Sequence, residues 1–216
     1  MAGEGTCAAP SGPKGAPPAA TVDPVNICVY CASNLGDDPA FVDAAGAVGR
    51  AIVDRGAGLV YGGGDVGLMG VVANEVLAGG RPVAGIITEH LMKPEVAHSG
   101  LDELVVVADM AERKREMFER ADAFVTLPGG VGTMEEMFEV LCWSYLGLHP
   151  KPMGLLNVAG YYDHLIAFLD QAMSHGLCNA RVRDLLVVGT DVEDLFERLL
   201  SQDEQPDRSP DEAVGV

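Results

Sequence analysis

Three stretches of this chain carry residues whose types and spacing are suited to chemistry. The first is Tyr61-Gly62-Gly63-Gly64-Asp65-Val66-Gly67-Leu68-Met69-Gly70 and the second is Leu127-Pro128-Gly129-Gly130-Val131-Gly132-Thr133-Met134-Glu135-Glu136. In each, an apolar run of strand type passes through glycines into a helical pattern. Glycine lets a backbone approach a ligand closely, and the start of a helix offers free N–H groups and the positive end of its dipole. Both loops are therefore candidate anion cradles. The third stretch is the cation pair Arg113-Lys114. On a helical wheel Met110, Met117 and Ala121 fall within about 20° of one line, with Arg113 and Lys114 on the same stripe. Glu112, Arg115, Glu116 and Glu119 take the opposite, solvated face. Cations on an inward stripe require an anion partner or a cavity. A bound phosphate or a carboxylate such as Glu136 supplies one.

Two of these features also have plainer readings. Gly62, Gly64 and Gly67 satisfy G-x-G-x-x-G, which suggests a dinucleotide site, but the pattern follows the second strand rather than the first. Thr133 fits a helix N-cap with Glu136 three residues on, as a capping box requires. A capping box contributes on the order of 1 kcal/mol and does not by itself explain the preceding Pro-Gly-Gly-x-Gly.

The elements that must hold these loops are legible as alternation. Strand-like runs occur at Val25–Cys31, Gly58–Tyr61, Pro82–Ile87, Glu103–Val107, Ala123–Leu127, Pro152–Leu156 and Leu185–Val188. Helical patterns lie near 38–55, 67–79, 109–121, 133–147, 161–175 and 191–200. Strands apolar throughout and separated by helices predict a single-domain α/β fold: a Rossmann-like, doubly wound parallel sheet of about seven strands with helices on both faces. Ligands of such sheets bind at the carboxyl ends of strands, where both glycine loops lie. The helix from Thr133 shows two apolar stripes, one of Met134, Met137, Phe138, Leu141 and Tyr145 and another of Val140, Trp143 and Leu146. Burial on two sides of one helix in a modest domain predicts a homodimer.

Composition sets the boundaries. The chain has 216 residues, 48% of them hydrophobic, enough for a core without disulfides. No apolar run reaches the roughly 18 residues of a membrane span. The first residues lack a charged segment followed by an apolar one, so no secretory signal is read and a cytoplasmic address is expected. A net charge of −18 argues against nucleic-acid or anionic-membrane partners. Residues 1–24 and 202–216 are too poor in apolar groups to pack and are expected to be disordered tails around a catalytic domain at 25–201. The five cysteines form no even disulfide framework, and Cys28 and Cys31 are expected as structural thiols facing opposite sides of a strand. His90, His98, His149, His164 and His175 show no metal-ligand spacing, so no metal site is expected and the histidines are taken as structural or exposed.

Taken together, Gly62–Gly70, Asp109-Met110-Ala111-Glu112-Arg113-Lys114 and Pro128–Glu136 resemble the LONELY GUY family, as do the Cys31-Ala32-Ser33 loop and Trp143. Its members are cytokinin-activating phosphoribohydrolases, long mislabelled as lysine decarboxylases. The resemblance spans about Val25 to Ser201. It implies a Rossmann-like dimer, without cofactor, that hydrolyses the N-glycosidic bond of N6-modified adenosine 5′-monophosphates and often of AMP itself. Arg113 and Glu136 match the family's catalytic pair. By the same resemblance Glu95, Lys114, Gly130, Val131, Gly132, Thr133, Met134 and Glu135 match nucleotide-contacting positions, and with Ser33, Gly62, Gly63, Gly64 and Gly129 of the loops they are the candidate substrate- and phosphate-binding residues. Ala111 stands where the family often has His, and Cys142 where plant members have a nucleotide-contacting Thr. Other readings of the residues are a nucleotide-sensing module without hydrolysis, a pyridoxal-dependent decarboxylase and a dehydrogenase. The decarboxylase needs a Schiff-base lysine, and Lys14, Lys93, Lys114 and Lys151 all lack a fitting context. A mere binder has no need of a carboxylate beside its phosphate pocket.

Overall fold

The computed structural model describes Met1, residues 25–92 and residues 97–201. The expected tails (Met1 apart) and the candidate Glu95 therefore lie outside the described residues. The strands are β1 (Asn26–Tyr30), β2 (Gly58–Tyr61), β3 (Val83–Thr88), β4 (Glu103–Val107), β5 (Ala123–Thr126), β6 (Met153–Leu156) and β7 (Leu186–Gly189). They form one seven-stranded, wholly parallel sheet in the order β4-β3-β2-β1-β5-β6-β7. The helices are α1 (Pro39–Asp54), α2 (Gly67–Ala78), α3 (Met110–Arg120), α4 (Val131–Tyr145), α5 (Asp163–Ser174), the short α6 (Arg181–Asp184) and α7 (Val192–Leu200). The expected strand and helix positions hold to within about two residues. The single-turn α6 lies between the helical and strand patterns read from the sequence and was not among them.

Period-two alternation along β1 shows how the core divides. Ile27, Val29 and Cys31 join the apolar cluster made with α1, α2 and α7, whereas Cys28 and Tyr30 join the one made with α3, α4, α5 and α6. Helices thus cover both faces of the sheet, and Cys28 and Cys31 are separated by it. Both are free thiols whose pKa burial pushes far up, as expected of structural cysteines rather than a redox pair. Among the described residues no helix is long and apolar enough to cross a membrane.

Three of the helix starts are specified by local chemistry. The side chains of Asp38, Asp109 and Asp191 accept from the N–H of Ala40, Glu112 and Asp194 at 2.9, 2.8 and 3.0 Å. The starts of α2 and α4 have no such side-chain cap. Both follow the glycine loops.

Chain order makes β1 the pivot of the sheet, since β2 to β4 build outward on one side and β5 to β7 on the other. The connections that follow β1 and β5 therefore diverge at the switch point and leave a crevice between the loops. The β1 loop is tied across it: Ala32 N–H donates to the Pro128 carbonyl at 3.1 Å, and Leu68 N–H donates to the Ala32 carbonyl at 3.1 Å. Gly67, with φ +59°, lies so close to this loop that a Cβ would sit 2.2 Å from the Ser33 carbonyl carbon and 2.3 Å from Asn34 N. Gly67→Ala is expected to cost about 2–5 kcal/mol, combining left-handed strain with backbone overlap. Gly80→Ala, at φ +69° with open space around it, should lose only the strain. Denaturant melts of the two variants check this, and equal losses would show that the close approach to Ser33 is unimportant.

Candidate active site

At the switch point lies a cavity of about 560 Å³. The loops after β1, β2 and β5 and the starts of α3 and α4 line it. Ser33, Gly62, Gly64, Arg113, Gly130, Val131, Gly132, Thr133, Glu135 and Glu136 are the sequence candidates among its walls. Gly63, Lys114, Gly129 and Met134 are not in the lining, although each adjoins it. Asn34, Val66, Met69, Ile87, Leu91 and Met110 also line the cavity; the sequence reading did not assign them. Val66, Met69 and Met110 lie inside the quoted stretches but carry no group that marks a ligand contact, and Asn34, Ile87 and Leu91 lie outside them, so only the fold reveals that they share a wall.

The inward stripe of α3 holds its cation as expected. Arg113 is only 8% exposed. Its Nε donates to the Ile86 carbonyl at 2.9 Å, and its Nη2 to the Gly62 carbonyl at 3.2 Å. Its Nη1 stands 3.5 Å from Glu136 Oε1. A planar fork with several donors suits three partners in three directions, as a lysine does not. Gly62 is glycine because of this arginine: a Cβ there would fall 2.1 Å from Arg113 Nη2.

Met110, by contrast, is not on a buried stripe. It is 43% exposed and stands at the cavity rim, because α3 begins there and the stripe runs out over the opening. Lys114 is not itself part of the cavity wall. Its ammonium pairs with Glu135 and, at 3.0 Å, with Glu139. Burial pulls its pKa down, but the hydrogen bonds to those two carboxylates outweigh this and leave it raised.

The capping box does not form. Helix α4 starts at Val131 with Gly130 as its N-cap, so Thr133 lies within the first turn and is buried. Glu136, one turn in, therefore points at Arg113 instead of back at the cap. The first bond of α4 runs from Met134 N–H to the Gly130 carbonyl at 3.0 Å. The N–H groups of Val131, Gly132 and Thr133 thus have no partner within the helix, and all three residues line the cavity. At α2 the corresponding place is filled by the β1 loop, with Ala32 accepting from Leu68. The two glycine loops consequently differ: the one before α4 presents an open helix N-terminus, and the one before α2 supplies wall. The dinucleotide pattern loses its sense for the same reason, since its third glycine, Gly67, is pressed against Ser33.

Glu136 is a buried carboxylate in a mixed field. Burial raises its pKa above 4.5, Arg113 pulls it down, Glu135 and Glu139 push it up, and Lys114 opposes them; the net direction is upward. Arg113 therefore offsets only part of the effect of burial. A chemistry that uses the carboxylate form is lost as pH falls through this raised value. The sign for stability is opposite, because the ionised form is the one burial penalises: the contribution to folding is present below 4.5 and is lost as pH rises through the folded value. Carbon NMR of the Glu136 carboxyl, assigned by its absence in Glu136→Gln, should titrate above 4.5. A midpoint at or below 4.5 would mean that Arg113 dominates.

Residues 69–199 match the family model described as "Possible lysine decarboxylase". Rice "Probable cytokinin riboside 5'-monophosphate phosphoribohydrolase LOGL1" is 48% identical over 80% of this chain and 78% of its own. Arabidopsis thaliana "Cytokinin riboside 5'-monophosphate phosphoribohydrolase LOG7" is 46% identical over 80% of each. Among solved structures, the molybdenum cofactor binding protein from Rippkaea orientalis superposes with a TM-score of 0.61 at 18% identity, covering 84% of this chain and 98% of that one. The molybdenum cofactor carrier protein of Chlamydomonas reinhardtii does so with 0.61 at 19%, covering 83% and 99%. At such identities the likeness shows the fold alone. The family match extends over more than half of the chain and the plant relatives align along four fifths of it, so this protein is a member of the LONELY GUY family.

Proposed function

We propose that this protein hydrolyses the N-glycosidic bond of adenosine 5′-monophosphates bearing an N6 modification, releasing the free base and ribose 5-phosphate. The observation that carries this reading is the Arg113–Glu136 pair, 3.5 Å apart, in the wall of the same cavity as the uncapped start of α4. The phosphate sits on the N–H groups of Val131, Gly132 and Thr133, where the helix dipole favours an anion. The apolar wall of Met69, Ile87, Leu91 and Met110 takes the base and an apolar N6 substituent. The bond from C1′ to the base nitrogen breaks with its electron pair leaving on the base. Positive charge grows on the sugar, and the Glu136 carboxylate stabilises it and accepts a proton from the water that bonds to C1′. The departing base nitrogen takes up a proton from solvent and Glu136 returns its own to solvent, so that free base, ribose 5-phosphate and the ionised carboxylate result. Such positioned base assistance is worth about 10²–10⁴-fold. Arg113 orients that carboxylate and balances its charge.

A decarboxylase, as the family description has it, is the weaker reading. Neither lysine among the described residues lines the cavity; Lys114 is engaged by Glu135 and Glu139, and Lys151 donates to the Phe118 carbonyl. We also propose a homodimer in the cytoplasm. Val131, Leu146 and Leu148, along or just after α4, expose 88%, 46% and 69% of their surface, which suits a partner. The four cysteines in the described residues are free, which suits a reducing compartment.

Incubation with AMP, N6-isopentenyl-AMP and other nucleoside monophosphates, followed by separation of released bases, tests the activity. Free base is expected from the adenine nucleotides. Tight binding with no base released would make the protein a nucleotide-binding module instead. Sedimentation at micromolar concentration tests the dimer.

A further inference from the structure

The loop before α4 has a problem that its glycines do not solve. An anion near a backbone is attracted by N–H groups but repelled by carbonyl oxygens, so the carbonyls of Leu127 to Gly130 must point elsewhere. Each has a donor. The Tyr162 hydroxyl donates to Leu127 O at 2.7 Å, Ala32 N–H to Pro128 O at 3.1 Å, the Tyr161 hydroxyl to Gly129 O at 2.8 Å, and Met134 N–H to Gly130 O at 3.0 Å.

Two of these four donors are side chains, and they are consecutive tyrosines that do not line the cavity. We propose that Tyr161 and Tyr162 are positioning residues of the anion cradle, turning its peptide planes so that N–H groups rather than carbonyls face a bound phosphate. This inference rests on the reading of the cavity as a phosphomonoester site. Tyr161 has the sharper role. In a trans peptide the carbonyl and the following N–H point in opposite directions, and no cis peptide occurs among the described residues. Holding Gly129 O toward Tyr161 therefore turns Gly130 N–H the other way, and Gly130 lies in the cavity wall. Both residues of that plane are glycine, so no side chain of its own holds it, and the Tyr161 hydroxyl is the donor on its carbonyl.

The pair is itself built to stay put. The Tyr161 ring meets those of Phe41 and Tyr162 edge-on, at 5.5 and 4.9 Å between centroids. Tyr162 N–H donates to Asn157 Oδ1 at 2.7 Å, and Asn157 Nδ2 donates to Asp163 Oδ1 at 2.7 Å. Between them Ala159 adopts φ +50°, a corner that a non-glycine residue rarely takes. A tightly cross-braced turn thus carries the two hydroxyls to neighbouring carbonyls on a different strand's loop.

Tyr161→Phe removes one hydroxyl and keeps the ring of a half-exposed residue, so the fold should persist. Calorimetry with ribose 5-phosphate and with adenosine, with thermal melts of both proteins, separates the roles. The variant is expected to bind ribose 5-phosphate about tenfold more weakly, the scale of one well-placed hydrogen bond. Adenosine affinity and melting temperature should stay unchanged, and in turnover KM should rise while kcat is largely retained. Tyr162→Phe should shift the same affinity in the same direction. Unchanged ribose 5-phosphate binding in Tyr161→Phe, or an equal loss for adenosine, or a wild type that binds no ribose 5-phosphate, would overturn the inference. A wild type that binds ribose 5-phosphate but releases no base would defeat the hydrolase reading alone and leave this one standing.

Discussion

Glu136→Gln is expected to lower kcat by about 10²–10⁴-fold while the protein still folds and binds nucleotide. The substitution is nearly isosteric, so the side chain keeps its place in the first turns of α4 and can still accept from Arg113. What it loses is charge. A neutral amide neither stabilises positive charge on the ribosyl carbon nor takes a proton from water. Binding survives because the phosphate relies on the α4 N-terminus and the base on the apolar wall, both untouched. Stability should change little near neutral pH, since burial already penalises the ionised carboxylate there. Steady-state kinetics alongside a thermal melt test this. Wild-type turnover in a folded variant would remove Glu136 from the chemistry and with it the proposed mechanism.

Arg113→Ala should fail differently, losing affinity, turnover and stability together. The guanidinium satisfies the carbonyls of Ile86 and Gly62 and faces Glu136 in a place where each side chain is about one tenth exposed. Removing one member of a buried pair typically costs about 3–5 kcal/mol because the other charge is stranded. The stranded group has an escape, however: Glu136 can protonate, and without Arg113 its pKa rises further. The destabilisation should therefore be larger at pH 8 than at pH 5, and adding Glu136→Gln to Arg113→Ala should restore part of the loss at the higher pH. Arg113→Lys should not rescue binding, because the guanidinium meets Ile86, Gly62 and Glu136 with three separate nitrogens, whereas an ammonium gathers its donors on one atom. Denaturation at the two pH values and nucleotide titration give the readouts. A destabilisation that ignores pH would mean that Glu136 does not feel Arg113.

The contrast between α3 and α4 shows which parts of the site are local. The start of α3 is written in adjacent residues, with Asp109 capping Glu112, and its inward cation follows from a wheel drawn on eleven residues. At the start of α4, Thr133 and Glu136 have the spacing of a capping box that the structure does not form. The helix instead begins two residues earlier, leaving Thr133 buried and Glu136 aimed across the crevice at a residue from another element. The same competition appears at the two glycine loops. They look equivalent in sequence, yet one helix start is filled by the β1 loop and the other is open.

Periodicity and strand-end glycines were enough to predict the parallel α/β sheet, the strand ends at which the glycine loops meet, and Glu136 as one of the anions that could partner Arg113. These are short-range properties: apolar spacing, backbone freedom, and the cost of an unpaired cation. The strand order, with β1 between β2 and β5, decided the rest. It set the Ile86 and Gly62 carbonyls on Arg113, paired Lys114 with Glu135 and Glu139, and brought Tyr161 and Tyr162 from beyond β6 to the loop after β5. Contacts between residues far apart in the chain depend on which strands lie side by side, and a one-dimensional pattern carries no record of that adjacency.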